Sequence, residues 1–121
     1  MGLDMYAFST TAPITDTDFA EPQDATLIAQ WRKHPNLHGW MEDLYDSKGG
    51  RASSFNCVAL KLDPPDIAAL ETFVLGDALP HTTGFFFGES QPEYKHADIA
   101  FIAAARKAFG EGKSVYYTSW W

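Results

Sequence analysis

The sequence predicts a single α+β domain over residues 1–121, with about three helices and a four- or five-stranded sheet, mainly antiparallel or mixed. Three observations predict it. Three segments repeat apolar residues at helical spacing, each opened by Pro, Asn, Asp or Ser and closed by glycine. Between them lie short runs rich in aromatic and β-branched residues. The tight hairpin dipeptides Asn-Gly and Asp-Gly are absent, so helices or long loops must join most strands.

GLDMYAF, residues 2–8, reads as the first strand. Residues 9–24 are dense in Thr, Pro and Asp without periodicity and read as a loop. TLIAQWRK, 26–33, is ambiguous. Leu27, Ile28 and Trp31 suit a helix, whereas Leu27, Ala29 and Trp31 suit a strand face. Its shortness and the stop at Pro35 favour a strand.

The next segment is a helix. Leu37, Trp40, Met41, Leu44 and Tyr45 form one apolar stripe, with Pro35 as boundary, Asn36 as N-cap and Gly49-Gly50 as terminator. Gly39 inside it costs about 1 kcal/mol against Ala, which marks a close backbone approach. A strand over 54–62 follows, then a helix from Asp63 or Pro64 with Ile67, Leu70 and Val74 inward, closed by Gly76. Residues 83–89 read as a strand. Ser90-Gln91-Pro92-Glu93 has the spacing of a capping box. The helix after it, with Phe101, Ile102, Ala105 and Phe109 inward, ends at Gly110, and VYYTSWW forms the last strand.

Composition narrows the function. With 45% hydrophobic and 15% aromatic residues the chain buries a core and is not disordered. The net charge is −7, and Asp4, Asp16, Asp18, Glu21 and Asp24 all precede the first cation, Arg32. A chain so acidic is not expected to bind nucleic acid or anionic membrane directly. No apolar run reaches the roughly 20 residues of a membrane span, and MGLDMYAF is unlike a signal peptide. A soluble, cytoplasmic protein is expected. Cys57 stands alone, so no disulfide forms within the chain, and the residue reads as a buried strand position.

The richest stretch is RKHPNLHGWMEDLY, from Arg32 to Tyr45. Arg32, Lys33 and His34 precede a helix whose free N–H groups and dipole attract anions. With Asn36 and His38 they make a candidate anion pocket, which Cys57, His81 or Trp120 would border. The plainer alternative is a set of surface charges paired with Glu42, Asp43 or the acidic loop. His34 and His38 stand four apart, but the helix begins between them, and zinc needs three or four ligands. No metal is expected. A Cys57 pair with His38 or His81 lacks any local feature that lowers a thiol pKa. No G-x-S-x-G, P-loop or dinucleotide glycine pattern occurs, so no catalytic residue and no cofactor is assigned.

Four tryptophans are many for this length. Most should be core, but Trp120 and Trp121 are interface candidates, for a partner or a second copy of the chain.

MGLDMY, WRKHPNLHGWMEDLY, LPHTTGFFFG and YYTSWW together resemble a family of small bacterial and phage proteins. Trp31, Arg32, Lys33, His38, Trp40, Gly84 to Gly88, Ser119 and Trp120 occupy its motif positions. The resemblance implies no activity. Some relatives carry a phosphoglycerate kinase label, but this chain is far shorter than that two-domain enzyme and lacks its nucleotide loops. The phage association implies host interaction or counter-defence. The first expectation is therefore a phage- or prophage-type protein that binds a host or phage macromolecule. The alternative is a small-ligand binder or enzyme using the pocket before the helix.

Overall fold

The computed structural model describes residues 2–14, 18–84 and 87–121. Its elements in chain order are β1 (Asp4–Thr10), β2 (Thr26–Arg32), α1 (Pro35–Ser47), β3 (Leu60–Leu62), α2 (Pro64–Leu75), α3 (Tyr94–Gly110) and β4 (Ser114–Trp120). The strands form one antiparallel sheet in the order β2-β1-β4-β3. This is the expected α+β fold, with four strands and three helices. Among the described residues no helix is long and apolar enough to cross a membrane.

Strand alternation decides where the core lies. Met5, Ala7, Val115 and Tyr117 share one face of the sheet and pack with Leu37, Met41, Ile67, Leu70 and Phe101 from the helices. Each buried Val, Leu, Ile, Met or Phe among them contributes roughly 1.5–3 kcal/mol. The other face carries Tyr6, Phe8 and Tyr116. Phe8 stacks on Tyr116 at 5.3 Å, and Phe19 from the loop after β1 meets Tyr116 edge-on at 5.5 Å. The same loop is tied to α1, because the Tyr45 hydroxyl donates to Asp18.

β2 resolves the ambiguous segment as a strand, though an irregular one. Its register against β1 slips between Ala7 and Phe8, so that Phe8 faces Leu27. An extra residue at such a bulge moves the residues beyond it to the opposite face. Trp31 therefore points into the core, while Leu27 is 47% exposed.

α1 and α2 start where the prolines place them. Asp63 opens α2, its N–H donating to Asp66 Oδ2 at 2.8 Å, and Lys48 grips that carboxylate from α1's end at 2.6 Å. Gly39 has the role its cost implies. A Cβ there would lie 1.9 Å from Thr82 Oγ1, so its absence lets the segment after α2 cross the helix closely. The Thr82 N–H donates to Asn36 Oδ1 at 3.0 Å in the same place.

Several expectations are corrected. β1 begins and ends two residues later than its composition indicates. The strand expected over 54–62 is only Leu60–Leu62, because residues 55–59 turn instead. Cys57 takes a left-handed φ of 62° there, donates its N–H to Ser119 O at 2.8 Å, and is exposed rather than buried. Of the strand expected over 83–89, the described residues 83, 84 and 87–89 are not strand; Phe85 and Phe86 lie outside the described residues. The helix after Ser90 starts at Tyr94, so Ser90 is not its N-cap. Asn36 lies inside α1, and His34 holds the N-cap position without a side-chain bond to its own helix.

Candidate functional site

The junction of β2 and α1 builds the site. A helix beginning at Pro35 exposes N–H groups that need acceptors. His34 offers none, and the Asn36 N–H donates instead to Ser90 Oγ at 3.1 Å, from a loop more than fifty residues away along the chain. His34 is freed for another bond set. Its ring is 3% exposed, with Nδ1 2.7 Å from Ser90 Oγ and Nε2 2.9 Å from Asp98 Oδ2. Asp98, in the second turn of α3, is 2% exposed, and its other oxygen accepts the Trp31 indole N–H at 3.0 Å.

The direction of the hydrogen-bonded line follows from its ends. Asp98 has two acceptor oxygens and takes a donor on each, so neutral His34 carries its proton on Nε2. Nδ1 then accepts from the Ser90 hydroxyl, while Ser90 Oγ accepts from Asn36. Every polar atom in the line Trp31–Asp98–His34–Ser90 is paired, which a buried carboxylate requires. Trp31 is held in turn by Phe101, edge-on at 5.2 Å. Tyr94 lies over the His34 ring at 4.8 Å.

The buried line surfaces at Ser90, which is half-buried at a cleft of about 270 Å³. His34, Asn36, Ser90, Gln91 and Lys95, with the acids Asp77 and Asp98, form its polar side, and Val74 and Leu79 supply apolar wall. Lys95 pairs with Asp77 at the rim, 3.2 Å away. Asn36 spends its side-chain oxygen on Thr82, which leaves its amide NH₂ as a donor.

Of the five residues expected to form an anion pocket, His34 and Asn36 line this cleft. The others go elsewhere, because Lys33 adopts a left-handed φ of 57° that turns the chain sharply after β2. Arg32 lies on the sheet and pairs with Asp4 at 3.3 Å, beside a separate recess bordered by Trp120 and Trp121. Lys33 runs past Gly88, where a Cβ would be 3.0 Å from its Cδ. His38 turns into the core, fully buried, with Nδ1 2.7 Å from the Tyr117 hydroxyl. Rings of Phe55, Phe87, Tyr117 and Trp121 surround it. Burial lowers its pKa to about 4 and pushes that of Tyr117 well up. His81 is exposed and lines neither the cleft nor the recess.

The two terminal tryptophans part company. Trp120 is 62% exposed, whereas Trp121 is half-buried against His38 and Phe87. Among the described residues no three of His, Cys, Asp and Glu gather as a metal site.

Sequence reasoning names Ser90 only as a helix cap and does not single out Lys95 or Asp98. Asp98 does leave a signal. It occupies the same helical stripe as Phe101, Ile102 and Ala105, and an acid on a core stripe needs a buried partner. No family model matches the chain, and comparison with curated proteins and with solved structures likewise finds no match.

Proposed function

We propose that the protein binds a small oxygen-bearing ligand, a carboxylic acid or its ester, in the cleft between the starts of α1 and α3. The observation that carries this reading is the line of paired groups from Trp31 to Ser90. It is buried at one end and open to a cleft at the other. A ligand oxygen entering there meets donors from Asn36 and Lys95, and its carbon chain meets Val74 and Leu79. Fixed polar groups on an apolar wall are the usual make-up of a small-molecule site.

Titration of the protein with short-chain carboxylates, followed by amide NMR, tests the proposal. Saturable shifts centred on Asn36, Ser90 and Lys95 are expected, weakened in Lys95→Ala. Shifts that are absent, or spread evenly over the surface, overturn it.

A second reading, binding of a host or phage macromolecule, is favoured by exposed Trp120. It shares a shallow recess with Tyr6, Phe8 and Glu21. An acidic residue beside an exposed indole suits a basic protein partner. Affinity capture with purified chain is expected to retain such a partner at low salt and lose it in Trp120→Ala. Equal capture by both forms rules this surface out.

A further inference from the structure

We propose that Ser90 is a nucleophile for acyl transfer and cleaves small carboxylic esters, with His34 as its base and Asp98 as the residue that positions His34. This rests on the cleft being the ligand site. Capping α1 explains only half of what Ser90 does. A cap needs an oxygen that accepts an N–H, and any hydroxyl or carboxylate would serve. It does not need a buried imidazole on the other side of that oxygen, nor a carboxylate with a second donor behind the imidazole. Those additions hold a lone pair on Nδ1 against the hydroxyl proton, at 2.7 Å, within reach for general-base transfer. The same roles define serine–histidine–aspartate sites on unrelated folds, where the serine faces Nε2 and the carboxylate Nδ1; here the two ring nitrogens are exchanged, with each still holding its role.

The step balances with ester and water alone. As Ser90 Oγ bonds to the carbonyl carbon, its proton passes to His34 Nδ1 and the carbonyl π pair moves onto oxygen. Asn36 and Lys95 line the cleft, and their side-chain N–H groups are the donors proposed for that developing charge. Collapse re-forms the carbonyl, breaks the bond to the alkoxy group, and returns the proton from Nδ1 to the departing alcohol. Water then repeats the sequence on the acyl-serine, giving the acid and restoring the Ser90 hydroxyl. Asp98 never touches substrate. It keeps the His34 proton on Nε2 throughout.

The test is labelling of the intact chain with a fluorophosphonate, where Ser90 Oγ would displace fluoride and His34 would take the proton. One adduct is expected, mapped to Ser90 by peptide mass and absent in a folded Ser90→Ala variant. Asp98→Asn keeps an acceptor for Trp31 but presents N–H to His34, moving the imidazole proton to Nδ1. Labelling is expected to slow about 100-fold or more while the variant stays folded. The ¹⁵N shifts of His34 should report the changed tautomer, which a merely structural role for Asp98 would not connect to reactivity. An adduct on another residue, or none on Ser90 while carboxylates still bind, overturns serine chemistry and leaves the ligand site standing. Loss of both labelling and binding overturns both.

Discussion

Asp98→Ala is expected to lower the free energy of unfolding by about 2–6 kcal/mol, because it leaves two buried hydrogen-bond donors without their acceptor. The substitution strands two donors at once, the Trp31 indole N–H and His34 Nε2–H, in a region where His34 and Asp98 are 3% and 2% exposed. Each orphaned buried donor costs about 1–3 kcal/mol by itself. For a domain of this size the total is a large share of its stability. Urea denaturation at neutral pH measures it, and an unchanged m value would show that only the native state lost energy. Asp98→Asn, which keeps the size and most of the bonding, should lose much less. A loss in Asp98→Ala below about 1 kcal/mol would mean that the buried line does not form as described.

Acid should act through a different histidine. The folded pKa of His38 lies at about 4, below its ordinary value of 6.5, because burial disfavours the charged ring. As pH falls through 6.5 the unfolded chain takes up the proton and the folded one does not, so stability is fully present above 6.5 and drains away down to 4. The difference corresponds to about 3 kcal/mol. Tyr117, which bonds the ring, stays protonated throughout, as its own pKa is raised. Glu42, on the next turn of α1, has a raised pKa and so opposes the trend, but it is exposed and its effect is small. His38→Asn retains a hydrogen-bonding partner for the Tyr117 hydroxyl without titrating in this range. Unfolding curves at pH 7, 5.5 and 4 should slope steeply for wild type and weakly for the variant. Parallel slopes would remove His38 as the cause.

The two histidines show how much of the site is legible. His34 and His38 stand four apart in the sequence and resemble a pair aimed at one target. Placing the helix start between them correctly denies them a shared helical face. Nothing local says that His34 faces Asp98 and Ser90 while His38 faces Tyr117. Arg32 and Lys33 read as companions of His34 because they adjoin it. A single left-handed residue separates them in space, and Lys33 is not a type that announces that conformation. Capping is misread for the same local reason. Asn36 and Ser90 are both residues that cap helices, but each one's oxygen goes to a different segment.

The strands divide along the same line. β4 is readable from residue type and β2 only from its shortness and the stop at Pro35, whereas the segment over 54–62 carries strand-like residues yet pairs only at Leu60–Leu62. A strand exists where a neighbour supplies its hydrogen bonds, and propensity cannot see the neighbour.

Local order in the chain was enough for the three helices, their apolar stripes, the proline starts of α1 and α2, the glycine stops, and a core of α+β type. These arise from periodicity and backbone sterics acting within a few residues. The meeting of Ser90 and Asp98 with His34, across 56 and 64 positions of chain, belongs to the folded molecule. A hydrogen bond between distant side chains leaves no period in the sequence. It exists only once the sheet order and the placement of α1 and α3 have brought the partners within 3 Å.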